Sequence, residues 1–285
     1  MKTLNTILFT SALLFVNPLN ANSQDFNTRL SSYKQDSYID SLIQPSQKRD
    51  FNSKDLFMVN YKQQYPSLDN LIQHFRVKGF EIEGFFSNSK FEIYENIDKS
   101  FKNSAEKVKN YEIYKEKLGV EIKKGKIKKF MANYDNSLNL AEKEYNIPKE
   151  IISAIIGVES DFGKNIGKYY AFNSFVSLFI KDYKTNFALE QLGHLLKFSE
   201  KNNIDIFELK SSYAGAIGFG QFIPSSLNQF FIGNDVYDMN SNILSVANYL
   251  SCTNERRRDI NQAIWDYNHN DFYVKAVLEL AESGK

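Results

Sequence analysis

A mostly α fold is predicted by three observations. Helical periodicity begins at Leu68 and recurs along the chain. Alternating stretches of the β type are scarce. Residues 147–285 are dense in Gly, Ala and apolar side chains, with several segments suited to full burial. No period of 20–50 residues is present, which excludes a solenoid. The 285 residues suffice for one large domain or two small ones. A composition 42% hydrophobic and 24% charged excludes wholesale disorder and a polytopic membrane protein. With 35 Lys+Arg against 34 Asp+Glu, the chain has no global electrostatic reason to hold nucleic acid or an anionic membrane. The 24 Phe and 17 Tyr accompany abundant Lys, Asn and Ile, a pattern of AT-rich coding that carries no functional meaning by itself.

In chain order, residues 1–23 read as a secretory leader. Lys2 gives the positive start, Ile7 to Val16 the apolar core, and Pro18 precedes the small residues Ala21 and Ser23. The apolar run is too short to span a bilayer, and no later stretch approaches the ~18 apolar residues a membrane helix needs. No Cys lies near the leader's end to take a lipid, and the single thiol, Cys252, has no disulfide partner. The expected mature protein is therefore exported, soluble rather than a lipoprotein, not stably inserted in a membrane and held by its core alone.

Residues 24–66 are polar and weakly periodic, an arm without a defined pattern. Residues 67–146 are predicted to be a helical subdomain. In it Leu71, Ile72 and Phe75 share a face before Gly79, residues 101–118 form a charged helix, and Phe130 to Tyr145 run as one amphipathic helix. Between them the basic run Lys123 to Lys129 (KKGKIKK) reads as a solvated face, the alternative being attraction to an anionic polymer.

The most informative stretch is IPKEIISAIIGVESDFGKNIG, residues 147–167. Pro148 suits a first helical turn and Gly163 a stop. At about 100° per residue, Glu159 falls within about 20° of Ile152, inside the stripe made with Ile155 and Ile156, while Asp161 falls on the opposite side. A Glu on a core-facing stripe needs a partner or a task. With no cation within a turn of it on that stripe, and with the helix end near, desolvation should raise its pKa and make it a general acid candidate; the competing reading is a structural ion pair.

Residues 211–226 read SSYAGAIGFGQFIPSS. The spacing of Gly215, Gly218 and Gly220, with no strand predicted before it, is a poor phosphate cradle and a better site of close backbone approach. Ser212 and Gln221 flank it with short polar groups able to orient a carboxyl or an N-acetyl group, the alternative being a packed turn with ordinary polar residues. In the third segment, residues 263–281, Val274, Val277, Leu278 and Ala281 form a core stripe, preceded by Tyr267 and Asn268. His74, His194 and His269 lack metal-ligand spacing.

Taken in order, IPKEIISAIIGVES (147–160), SSYAGAIGFGQFIPSS (211–226), SVANYL (245–250) and Tyr267–Asn268–His269 resemble the membrane-bound lytic murein transglycosylase B family of exported enzymes. The resemblance, fainter upstream to about Leu71, implies a lysozyme-like catalytic domain over 147–285 beside the helical subdomain. It implies that Glu159 is the lone catalytic acid/base, that Ser212 steadies its carboxyl, and that Gln221 holds the sugar. Tyr249, Tyr267, Asn268 and Tyr273 would lie along the groove, joined by Tyr114. The partner would be peptidoglycan glycan strands, cut between N-acetylmuramic acid and N-acetylglucosamine to leave a 1,6-anhydro end.

The chemistry is compatible with one carboxylate. Ordinary glycosidases use two, whereas a single acid suffices when the substrate's N-acetyl oxygen stabilises the oxocarbenium-like state. The alternatives are a lysozyme-like hydrolase using the same Glu159 and a non-catalytic wall-binding scaffold. Three departures from the family stand out. Residues 228–238 offer only Asp235 and Asp238 where relatives often carry a calcium-binding hand, so no metal and no cofactor are expected. The stretch from Tyr249 to Ile264 is short, with subsites in question. A basic pair after the catalytic helix is reduced to Lys181 and Lys184 around Asp182, which bears on stem-peptide contacts.

Overall fold

The computed structural model describes residues 61–102, 105–257 and 259–285; the expected leader and residues 24–60 of the arm lie outside them. The protein is mostly α, as predicted. The elements are α1 (Ser67–Val77), α2 (Ile97–Lys102), α3 (Tyr111–Leu118), α4 (Val120–Asn133), α5 (Asp135–Tyr145), α6 (Lys149–Ser160), α7 (Ala171–Ile180), α8 (Thr185–Asn202), α9 (Pro224–Phe230), α10 (Met239–Arg257), α11 (Ile260–Tyr267) and α12 (Asp271–Glu282). Two short strands, β1 (Tyr169–Tyr170) and β2 (Lys210–Ser211), pair antiparallel with Tyr169 opposite Ser211. The glycine segment is thus preceded by a strand, though one of two residues. It then folds back on itself through bridges from Ser211 to Ile217 and from Ile217 to Phe222.

The amphipathic pattern of α1 buries Leu68, Leu71, Ile72 and Phe75. The charged helix expected over 101–118 is instead interrupted. Its second part starts at α3, where the Asn110 side chain accepts from the N–H groups of Glu112 and Ile113 and closes two of the donors a helix start leaves open. The helix expected over 130–145 is likewise two, divided at Tyr134, whose φ of −120° and ψ of 25° leave helical geometry. No Pro or Gly marks that break.

Helix α6 is the axis of the fold. From Ile151 to Ser160 every residue is buried, and α4, α5, α10 and α12 pack around it. A helix apolar on one face only would not be enclosed in this way; here Ser153, Gly157 and Ser160 let neighbours approach the other faces. The enclosing core runs continuously from Leu68 to Ala281. Helices on both sides of residue 146 therefore build the surroundings of α6.

Candidate active site

The last turn of α6 delivers Glu159, which is 1% exposed. The helix ends one residue later because Asp161, Phe162 and Gly163 take successive positive φ values of 49°, 58° and 87°. Asp161 is thus a left-handed cap, and its carboxylate turns to Lys126 of α4 at 2.8 Å. Glu159 meets Tyr273 of α12, whose hydroxyl donates to its Oε1 at 2.7 Å. Burial, then the adjacent Glu159 charge, push the Tyr273 hydroxyl far above the usual tyrosine range, so it remains a donor.

From the other side, α4 carries Lys123, 8% exposed, whose ammonium donates to the carbonyl of Val158 at 3.1 Å. Among the described residues, Lys123 and Glu159 are the two charged side chains that are buried. The basic run is therefore a solvated face only in part, at Lys128 and Lys129. Lys123 shares a buried stripe with Val120, Ile127 and Phe130, Lys126 holds Asp161, and Lys124 pairs with Glu279 at 2.6 Å.

Five of the seven remaining sequence-predicted residues fall into two groups. Tyr273, Tyr267 and Tyr114 are enclosed and brace the site from within. Tyr267, at the end of α11, donates to the carbonyl of Gly220 at 2.6 Å and is itself pushed up by burial and by the Glu159 charge. The Tyr114 ring packs tilted, at 5.8 Å, against that of Phe272, next to Tyr273 in sequence. Tyr249 is partly exposed; its hydroxyl donates to the carbonyl of Asp266 at 2.8 Å and its ring lies 4.8 Å from that of Tyr267.

Gln221 and Asn268 form the second group. Gln221 is fully buried in a left-handed conformation with φ 52°, its Nε2 donating to the carbonyl of Gly218 at 2.8 Å while its Oε1 has no partner. Asn268 is also buried, with its Nδ2 unpartnered. Buried amide atoms are nearly always bonded, so an orphan acceptor beside Gly220, which Tyr267 bonds, and an orphan donor next to Tyr267 in sequence are suited to a polar ligand. Ser212 accepts from the N–H groups of Ala214 at 3.3 Å and Ala216 at 3.2 Å, which fixes the start of the glycine turn. The close approach read from the glycines is real: at Gly215, φ 81°, an added Cβ would lie 2.1 Å from the Phe175 ring.

Asp235 and Asp238 do not fit a calcium donor set. Asp235 accepts from the N–H of Tyr237, and Asp238 from both the N–H and the hydroxyl of Ser241. Among the described residues, no group of three or more His, Cys, Asp and Glu stands in position for a metal. Lys181 is paired with Glu95, and Lys184 lies 5.3 Å from the ring centre of Phe101.

Lys123 and Lys126 are the site residues that sequence reasoning missed. The spacing that singled out Glu159 also places Lys123 between Val120 and Ile127 on one helical face.

The profile of the Transglycosylase SLT domain family matches residues 60–259. The chain is similar to the membrane-bound lytic murein transglycosylase B of Escherichia coli K12, with 36% identity over 127 residues, 42% of this chain and 35% of that protein. The matched stretch thus spans about a third of that relative. Among solved structures, the catenated lytic transglycosylase SltB1 of Pseudomonas aeruginosa superposes with a TM-score of 0.68 at 23% identity, covering 77% of this chain and 97% of its own. SltB3 of the same organism, solved in complex with NAG-anhNAM-pentapeptide, does so at 0.66 and 17% identity, covering 82% and 80%. At such identities the likeness is one of fold, and it bears out the lysozyme-like α architecture expected from the sequence.

Proposed function

We infer from this chain's membership in the Transglycosylase SLT domain family that it is a lytic transglycosylase, cleaving peptidoglycan glycan strands between N-acetylmuramic acid and N-acetylglucosamine. The observation that carries the reading is the single buried acid: Glu159 is enclosed and hydrogen-bonded by Tyr273, while the nearby Asp161 is turned away and held by Lys126. A two-carboxylate mechanism lacks its second member at this place. Relatives are lytic transglycosylases by name or title, and SltB3 was solved in complex with NAG-anhNAM-pentapeptide.

In the proposed reaction Glu159 gives its proton to the glycosidic oxygen as the bond from that oxygen to C1 of the muramyl residue breaks. The substrate's N-acetyl oxygen supports the developing positive charge at C1. Glu159, now a carboxylate, takes the proton of the muramyl 6-hydroxyl as its oxygen bonds to C1, closing the 1,6-anhydro ring. The acid is regenerated and no water is consumed. Tyr273 donates to the carboxylate in the ionised half of the cycle, and Gln221 Oε1 and Asn268 Nδ2 offer bonds to the sugar.

The division into a helical subdomain over 67–146 and a catalytic domain over 147–285 belongs to this proposal, as does export to the periplasm or cell wall through the leader read in residues 1–23. Among the described residues, no helix is long and apolar enough to cross a membrane. Mass spectrometry of products released from purified sacculi tests the reaction: anhydro-muramyl ends are expected, and their loss in Glu159→Gln. Reducing ends would identify a hydrolase. Solubilisation by Glu159→Gln equal to wild type would remove Glu159 from catalysis.

A further inference from the structure

We propose that Lys123 is a positioning residue for the acid/base step, clamping the backbone beside Glu159 and supplying the buried positive charge that sets that carboxyl's protonation balance. The proposal rests on the transglycosylase reading of Glu159 and adds to it a residue from α4.

The geometry begins with the carbonyls that the last turn of a helix leaves unbonded. At the end of α6 the Gly157 carbonyl accepts from the N–H of Asp161 and the Ser160 carbonyl from the N–H of Asn165. The Val158 carbonyl is taken by the Lys123 ammonium from the neighbouring helix. A cation there also matches the negative end of the helix dipole. Three residues further along α4, Lys126 fixes the Asp161 side chain at the left-handed cap. The residues on either side of Glu159 are thus anchored within three positions, Val158 by Lys123 and Asp161 by Lys126. A one-turn shift of α4 against α6 would move the carboxyl itself.

The electrostatics point the same way. Burial pulls the Lys123 ammonium down to about 8, while the charges of Asp161 and Glu159 oppose that fall and Lys126 adds to it. Linkage is reciprocal, so the ammonium favours the Glu159 carboxylate by the amount that the carboxylate favours the ammonium. Several other charged groups around α4 are engaged with one another. Glu279 of α12 pairs with Lys115 of α3 and with Lys124, Glu121 pairs with both lysines, and Asp135 and Glu142 of α5 face Lys149. Of the titratable hydroxyls on this side, those of Tyr273 of α12 and Tyr114 of α3 are buried, with that of Tyr273 raised well above neutrality, and that of Tyr111 of α3 donates to Glu279.

The test compares pH profiles of kcat/KM for wild type, Lys123→Met and Lys123→Arg acting on muroglycan strands. A single-acid mechanism loses activity as Glu159 deprotonates in the free enzyme. Removing the cation should therefore move that alkaline limb upward by about one pH unit, and Arg should restore it. A merely structural lysine would change Tm or the overall rate in Lys123→Met and leave the limb in place, which would overturn the proposal; so would an Arg variant that shifts as Met does.

A second measurement needs no activity. Because the folded-state value of Lys123 is depressed, its unfavourable contribution is relieved as pH rises from about 8 toward the unfolded 10.5. In Glu159→Gln the carboxylate's support is gone, so this relief should start at lower pH. The Tm difference between Glu159→Gln and wild type is then expected to grow in favour of the variant between roughly pH 7 and 8, and to grow less in a Lys123→Arg background, where position 123 does not titrate and only the loss of the Glu159 titration itself remains. A difference that stays flat there overturns the coupling. Absence of anhydro products in wild type would instead overturn the transglycosylase reading and leave the Tm result standing.

Discussion

The Tyr273 hydroxyl donates to Glu159 Oε1 at 2.7 Å, joining the buried end of α6 to α12. A donor of this kind stabilises the carboxylate more than the acid, so under the proposed mechanism it helps at the step where Glu159 accepts the muramyl proton. Tyr273→Phe keeps the ring and its packing and removes one charge-assisted bond. Its kcat on sacculi should fall by about one to two orders of magnitude with little change in KM. A Phe variant within twofold of wild type would show that the bond is not used in turnover.

How much of this site could be read beforehand differs from residue to residue. Glu159 was legible because a carboxylate among isoleucines contradicts its surroundings wherever the helix turns. The stripe argument was narrower than the structure, since α6 is buried on all faces and Asp161 escapes by leaving the helix rather than by lying on its far side. Lys123 obeys the same arithmetic, but five lysines in seven residues drew the eye to net charge and away from Ile127 and Phe130. The inward turn of Tyr273 and Tyr114 had no local signal, because an aromatic with a polar tip suits a groove and a core equally. The break at Tyr134 was also unreadable, being set by packing of α4 and α5 around α6 with no Pro or Gly to mark it. The start of α3 was readable: Asn110 is a good N-cap residue.

Ser212 has the packed-turn task that the sequence left open beside a role at the Glu159 carboxyl. Its hydroxyl oxygen receives two backbone N–H groups at the opening of the glycine turn. Ser212→Ala leaves both buried donors without an acceptor, at a cost of about 1–3 kcal/mol. The Tm should drop by about 2–8 °C, alongside any loss of activity. Unchanged Tm with reduced turnover would assign Ser212 to catalysis alone.

Gly167 holds the same region from the strand side. Its φ is 93°, and an added Cβ would lie 1.9 Å from the backbone oxygen of Ser211, which has no side-chain freedom to retreat. Gly167→Ala combines a left-handed strain with a main-chain clash, so a loss of about 3 kcal/mol or more is expected. Urea unfolding should show a lower midpoint at unchanged slope. A variant as stable as wild type would mean that β1 and β2 separate without consequence.

The anchoring of α12, and with it Tyr273, has its own pH dependence. Glu279 on that helix receives Lys115 and Lys124, each at 2.6 Å, and the Tyr111 hydroxyl at 2.5 Å. Burial alone would raise its carboxyl, but the two lysines and the tyrosine outweigh that and hold it at about 2. A depressed acid adds stability that is full above its unfolded value of 4.5 and disappears as pH falls through 2. Water still reaches this cluster, so screening leaves only part of that gain. Glu279→Gln should lower Tm by about 2–6 °C at pH 7. The gap should narrow below pH 4.5 and close near pH 2, because the wild-type carboxyl is then neutral too. Added salt should narrow the gap at pH 7 in the same direction. A gap that stays constant from pH 7 to pH 2 would assign the loss to packing and remove the ion cluster from the stability of α12.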